Sequence, residues 1–152
     1  MTLAIRLGGP TDADRVIATD PHAASGGERA EEIRTWVAEG CCLLAEEDGA
    51  IAGFTALTRG FFHAPFVELL FVAASARRRG VGLALLRECM ARTASGEKLW
   101  TSTNESNTPM QRLLARAGFI RSGIVENLDE GDPELIYVRL PSAPEGDMSV
   151  PR

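Results

Sequence analysis

Leu3, Ile5 and Leu7 stand at alternate positions and predict a short strand at the start of the chain. Thr11-Asp12 then offers a cap for a helix through about Thr19, and Ile33, Trp36 and Val37 mark a second helix over Gly27 to Glu39. Cys41 to Glu46 and Ile51 to Thr58 flank the turn signal Glu47-Asp48-Gly49, so they are expected as paired antiparallel strands. Phe66 to Val72 reads as a third long strand. After it, Leu85, Leu86, Cys89 and Met90 form the apolar stripe of a helix running to about Thr93, where Ser95-Gly96 stops it. Leu99 to Thr103 is a strand. The next helix opens at Asn107-Thr108-Pro109, with Thr108 as its expected cap, buries Met110, Leu113, Leu114 and Ala117, and ends at Gly118. Two last strands, Phe119 to Glu126 and Glu134 to Leu140, straddle the acidic loop Asp129-Glu130-Gly131-Asp132-Pro133.

No repeat or internal linker interrupts this alternation, so residues 1–140 are expected to form a single domain, with 141–152 as a flexible Pro- and Ser-containing tail. With 152 residues, 45% of them hydrophobic, the chain can bury its own core. Its net charge of -5 disfavours nucleic acid as a partner, because phosphate binding needs a basic surface. No apolar run approaches the roughly 20 residues of a membrane span, so no membrane partner is expected. The three cysteines, two of them the adjacent Cys41 and Cys42, form neither a disulfide framework nor a metal-ligand spacing. A cytoplasmic location and a metal-free chemistry fit best.

Against this acidic background, Arg77-Arg78-Arg79-Gly80-Val81-Gly82 places three cations where a strand hands over to a helix. A Walker loop would need a Lys and a Ser or Thr that are absent. The dinucleotide fingerprint would need a third glycine where Leu85 stands. What the stretch does offer is glycines that let the backbone curl around an anion, helix N–H groups that point at it, and guanidinium donors beside it. A pyrophosphate suits such a nest. The plain alternative is a solvated surface cluster.

The run LLFVAASARRRGVGLALL resembles the cofactor motif of the GNAT N-acetyltransferase superfamily, [Q/R]-x-x-G-x-[G/A] after a strand, with Arg77, Gly80 and Gly82 filling it. Downstream, NTPMQRLLARAGF resembles the family's later helix, opening at Asn107 and closing at Gly118-Phe119, and IRLGGPTDAD resembles its first strand and cap. The resemblance covers residues 3 to 140. It implies an α/β (α+β) fold: a mixed, mainly antiparallel sheet of about six to seven strands with splayed central strands, flanked by about four helices. It also implies acetyl-CoA as cosubstrate. The splayed strands would be Phe66 to Val72 and Leu99 to Thr103. The pantetheine arm would lie along Phe71 and Val72 like an added strand, and the pyrophosphate would meet the N–H groups of Arg79, Gly80, Val81 and Gly82, with Arg77 and Arg78 beside it. Asn107 would hydrogen-bond the arm, and Met110 and Leu113 or Leu114 would pack on it. Helix capping and core packing are the alternatives for these residues.

Transfer from a thioester to an amine needs a base, an oxyanion donor and a proton for the departing sulfur. Glu68, an acid in an otherwise apolar strand near the expected splay point, is the candidate base, with burial expected to tune it; a solvent-facing or ion-paired carboxylate is the alternative. The N–H of Val72 is the candidate oxyanion donor. Where the family often carries a general-acid Tyr on its later helix, this chain has Leu114. The sole tyrosine, Tyr137, is the candidate substitute, and a half-buried strand residue is its alternative.

The expected activity is therefore direct acetyl transfer from acetyl-CoA to a small-molecule or peptide amine, without a covalent enzyme intermediate. A CoA-binding regulatory module without turnover, and an RNA-binding protein using the arginines, stay open. The acidic loop 127–134 suggests a cationic acceptor, or only a solvated turn. Trp36, Phe61, Phe62 and Phe66 are expected to line an apolar pocket, to pack in the core or to form a homodimer contact.

Overall fold

The computed structural model describes residues 2–141, so the tail from 142 onward, expected to fray, lies outside the described residues. The strands are β1 (Leu3–Leu7), β2 (Cys42–Glu47), β3 (Ala50–Phe61), β4 (Ala64–Val72), β5 (Leu99–Asn104), β6 (Ile120–Val125) and β7 (Glu134–Arg139). The helices are α1 (Ala13–Thr19), α2 (Glu28–Ala38), α3 (Val81–Arg92) and α4 (Thr108–Arg116). All seven strands join one sheet in the order β1-β2-β3-β4-β5-β7-β6. Every neighbouring pair is antiparallel except β4 with β5, because α3 crosses over between them and returns the chain in the same direction. This is the mixed, mainly antiparallel sheet with four helices that the sequence implies.

Strand alternation sends successive residues to opposite faces, and each face finds its own helices. On one, Val16, Ile17, Ile33 and Val37 of α1 and α2 pack on Cys42, Leu44 and Phe54, with Leu69 and Phe71 at the margin. On the other, Leu86, Cys89 and Leu114 of α3 and α4 pack on Leu43, Val67, Leu99, Leu135 and Tyr137. Burying a side chain such as Leu86 or Leu114 contributes roughly 1.5–3 kcal/mol, and both are fully enclosed. All three cysteines are free thiols, and burial pushes Cys42 up to about 12 and Cys89 up to about 11.

Two local departures from the sequence reading have clear causes. The cap of α4 is Asn107 rather than Thr108: its Oδ1 accepts the N–H of Met110 at 3.2 Å, which leaves Thr108 and Pro109 inside the first turn. Strand β3 runs past Thr58 to Phe61, because its hairpin to β4 turns through Phe62 and His63, a pair with no glycine, proline or asparagine to announce it.

The entry to α1 is held by a buried carboxylate. Asp12, 5% exposed, accepts two hydrogen bonds from Arg6 on β1, both at 2.9 Å, and one from the N–H of Gly9 at 2.8 Å. Arg6 and Arg15 also reach Glu46 on β2, so one network ties β1, β2 and α1 together. The Arg6 guanidinium first, then the Gly9 N–H, hold the Asp12 carboxyl well below the usual carboxylate range. A depressed folded value means that the stabilisation is complete above the unfolded value near about 3.9 and is lost as pH falls below it. Asp12→Asn is therefore expected to lower stability by roughly 1–3 kcal/mol at pH 7, and the gap to the wild type should shrink on acidification below about pH 4. Thermal melts at pH 7, 5 and 3 check this; a gap that does not close in acid would remove the ionised pair as the cause.

Candidate active site

Strands β4 and β5 share register at only two positions, Phe66↔Trp100 and Val67↔Thr101. The Thr101 hydroxyl donates to the Val67 carbonyl at 2.9 Å, and beyond this tie the two strands part. Glu68 stands at the parting point. The register with β3 steps from Ala56↔Leu69 to Leu57↔Val67, so Glu68 is the extra residue of a β-bulge. The bulge reverses the alternation: Val67 packs toward α3 and α4, yet Leu69, two residues on, packs toward α1 and α2. Leu70 and Val72 then return to the α3 and α4 side.

Past the bulge, β4 leans on β3 alone. Gly53 allows that approach, since a Cβ there would stand 2.5 Å from the Phe71 carbonyl oxygen. The N–H of Ala73 donates to Ala52 on β3 at 2.8 Å, so strand alternation turns the N–H groups of Val72 and Leu70 the other way, into the gap left by β5. An unpaired strand edge lining a cleft is a place for another extended chain to bond.

The gap opens into a cavity of about 600 Å³ whose lining includes Leu70, Phe71, Val72, Arg77, Arg78, Gly80, Val81, Gly82, Asn107, Met110, Leu113 and Arg116. The expected phosphate loop and the expected α4 residues thus border one space. At its foot, Gly80 caps α3 in the left-handed conformation at φ 80°, and Arg78 is left-handed as well at φ 65°. The N–H groups of Gly80, Val81 and Gly82 lie in or before the first turn of α3, where no helix carbonyl reaches them, and they donate to no other described residue. Donors converging at a helix start beside exposed guanidinium groups suit a pyrophosphate, and the cavity suits a ligand of cofactor size.

The three arginines divide. Arg79 is tied to Glu47 on β2 at 2.6 Å, whereas Arg77 and Arg78 stand at the cavity. Gly82 carries a second duty: a Cβ there would meet Leu113 at 2.9 Å, so its bareness also lets α3 and α4 close together. Asn107 lines the cavity while capping α4. Leu114 is fully buried in the core and outside the lining, and its neighbour Leu113 takes the cavity side of the helix. Leu70, Pro109, Leu113 and Arg116 complete the wall. The stripe of α4 announces Leu113, but an exposed Arg116 has no signal in the sequence that separates it from any solvated arginine.

The burial expected of Glu68 is absent, because the bulge leaves it exposed on the face that carries α1 and α2. Its Oε1 accepts the Thr58 hydroxyl at 2.8 Å, and Thr58 Oγ1 in turn accepts the Gly60 N–H at 3.0 Å. A Cβ on Gly60 would stand 2.5 Å from that carboxylate oxygen, so Gly60 makes the room in which it lies. Tyr137 sits opposite Thr101 in the β5–β7 ladder, with its ring buried beside Leu114 and Phe119. Its hydroxyl has no partner among the described residues, and no buried side-chain oxygen there is left unsatisfied, so the hydroxyl reaches solvent. The acidic loop is pinned: Asp129 accepts from Asn104, and Asp132 accepts from the N–H and hydroxyl of Ser106. Among the described residues no helix is long and apolar enough to cross a membrane.

Comparison with known proteins bears on this arrangement. Residues 14–119 match the model of the acetyltransferase (GNAT) family. A GNAT-family acetyltransferase structure from Bacillus cereus is 36% identical, covers 94% of this chain and 100% of its own, and superposes with a TM-score of 0.86. A diaminobutyrate acetyltransferase from Paenibacillus lautus, solved with L-2,4-diaminobutyric acid and coenzyme A, shares the fold at 20% identity and a TM-score of 0.70, over 92% of this chain and 95% of that one. A mycothiol acetyltransferase from Nocardia farcinica is 38% identical over 58 residues, which span 38% of this chain and 19% of that protein. With the family match covering most of the parted strands, the loop and both cavity helices, the chain belongs to the GNAT acetyltransferase family.

Proposed function

We propose that the protein is an acetyl-CoA-dependent N-acetyltransferase that passes the acetyl group directly to a small-molecule or peptide amine, without a covalent enzyme intermediate. The observation that carries this reading is the unpaired edge of β4 opening into a cavity that ends on the free N–H groups of α3. Bound there, acetyl-CoA supplies an activated thioester. The amides of Gly80, Val81 and Gly82, with Arg77 and Arg78, take its pyrophosphate, while Asn107, Met110 and Leu113 border its pantetheine arm.

Glu68, at the vertex where the strands part, accepts the proton of an amine that would otherwise be an ammonium at neutral pH. Thr58 orients its carboxylate. The N–H groups of Leu70 and Val72, facing the gap, are placed for the oxygen that gains charge as nitrogen attacks. The C–N bond forms as the C–S bond breaks, and the sulfur takes its proton from water or from the hydroxyl of Tyr137. A thiol with pKa near about 8.5 is a tolerable leaving group, so Leu114 in place of an acid does not forbid turnover.

Two measurements test this. CoA at a hundredfold its Kd is expected to stabilise by about 2.7 kcal/mol, a rise of roughly 5–10 °C in Tm for a domain of this size, and NAD should give none. Arg77→Ala with Arg78→Ala should weaken CoA about tenfold or more; an unchanged Kd would place the phosphates elsewhere. Glu68→Gln should lower kcat on the order of 100-fold with CoA affinity preserved. Thiol release from acetyl-CoA at the wild-type rate in that variant would remove Glu68 as the base. Binding of CoA without thiol release across a broad amine panel would instead identify a CoA-binding module.

A further inference from the structure

The hairpin between β3 and β4 turns through two bulky residues, Phe62 and His63, both left-handed at φ 51° and 66°. Side chains of this kind enter that region rarely, and a two-residue hairpin turn usually selects Asn-Gly or Gly-Gly for it. The tip is clamped in place. Arg59 donates through Nη1 to the His63 carbonyl at 2.9 Å, and its Nη2 meets both carboxylate oxygens of Glu97 at 2.8 Å, tying the turn to the segment that leads into β5.

What this strained and anchored turn presents is a row of aromatic rings. Phe61 stacks on Phe66 with centroids 5.5 Å apart and planes 14° apart, lies against Trp100 at 4.9 Å, and meets Phe62 edge-on at 5.0 Å. None of the four packs into the buried core clusters; Phe61, Phe66 and Trp100 are half-buried, and Phe62 is 89% exposed. Trp36, the other aromatic expected here, packs with the α1 and α2 core instead. The row also borders the candidate base. Phe66 and Trp100 are the last-but-one register pair before β4 and β5 part, and Thr58, paired with Phe66, holds the Glu68 carboxylate over Gly60, the residue that precedes Phe61.

We propose that this row is the wall of the acceptor site, and that the acceptor is a primary amine joined by a short linker to an aromatic or similarly flat apolar group. The ring lies on Phe66 and Trp100, and the nitrogen meets Glu68. This rests on the acetyl-transfer reading above and narrows its substrate class. A polyamine fits less well, because the surface beside Glu68 is this row of rings, and Glu97, the carboxylate tied to the hairpin, is already ion-paired with Arg59. A carboxylate beside apolar rings matches one ammonium beside an apolar body.

The test uses the full chain with acetyl-CoA, following thiol release with 2-phenylethylamine, ethylamine and spermidine, together with calorimetric binding of 2-phenylethylamine to the CoA-saturated protein. The expected result is a kcat/KM for 2-phenylethylamine at least about tenfold above ethylamine and spermidine, carried mainly by KM. Trp100→Ala should bring the phenylethylamine-to-ethylamine ratio toward one and abolish the calorimetric signal, with the CoA-induced rise in Tm as the control for folding. Phe62→Ala, at the exposed tip, is the second variant should Trp100→Ala fail to fold, and a smaller loss of the same ratio is expected of it. Equal kcat/KM for all three amines, a preference for spermidine, or a ratio untouched by both variants overturns the proposal. So does a dimer that Phe62→Ala converts to a monomer with unchanged kinetics, which would assign the row to a subunit contact. Failure of the acetyl-transfer reading looks different: no CoA stabilisation, and no thiol released with any amine.

Discussion

One extra residue in one strand governs the site. Because Glu68 has no register partner on β3, the alternation of β4 reverses there, and the backbone groups that would have continued the ladder with β5 no longer meet it. A parallel neighbour cannot follow a strand that bends away, so β5 keeps its course beside β7 while β4 follows β3. The gap is then an edge strand in the middle of a sheet. Edges of this sort are ordinarily covered, since unpaired N–H and C=O groups invite other chains. Here the edge faces a cavity instead, and α3 and α4 close its far side.

The surrounding parts hold that gap open and give it chemistry. Gly53 brings β4 hard against β3, and Gly82 brings α3 against Leu113 of α4, so two glycines at different levels set the width of the opening. Neither is there for a turn. The turn glycine is Gly80, whose left-handed backbone releases the first amides of α3 toward the cavity. Arg79 is tied to β2 through Glu47, which anchors the loop and leaves Arg77 and Arg78 at the cavity. Structural duties and the binding duties proposed for the loop thus fall on adjacent residues of a single motif, and a substitution in that motif reports on both.

The two faces of the sheet divide the work. On the side of α3 and α4, the lining is apolar with cationic ends, suited to a long carrier with a phosphate terminus. Across the sheet, the bulge turns Glu68 out among Thr58, Gly60 and the aromatic hairpin. The vertex between β4 and β5 lies between the two, and the Thr101–Val67 bond marks where the strands meet.

Much of this was legible in the order of residues. Strand and helix periods, the Asp-Gly turn, the Arg-Gly loop and the Gly-Phe stop after α4 are local patterns, set by a few neighbouring side chains and the φ they permit, so they can be read without a fold. The loop, the Asn107 helix and Met110 were brought together by their resemblance, and the structure sets them around one cavity. What depends on partners distant in the chain could not be read. The bulge at Glu68 exists only as a count of β4 residues against β3. The exposure of that carboxylate and the division of the three arginines by Glu47 follow from which elements become neighbours. So does the choice of Leu113 over Leu114 for the cavity. The Phe62-His63 turn hid for the opposite reason: its residues oppose the local preference, and only the Arg59 clamp and the ring contacts across three strand segments hold them there. Sequence alone determined the elements and the loop chemistry, because those are short-range matters of sterics and hydrogen bonding; tertiary structure decided register, face and exposure, because those are settled by packing between segments that the chain keeps far apart.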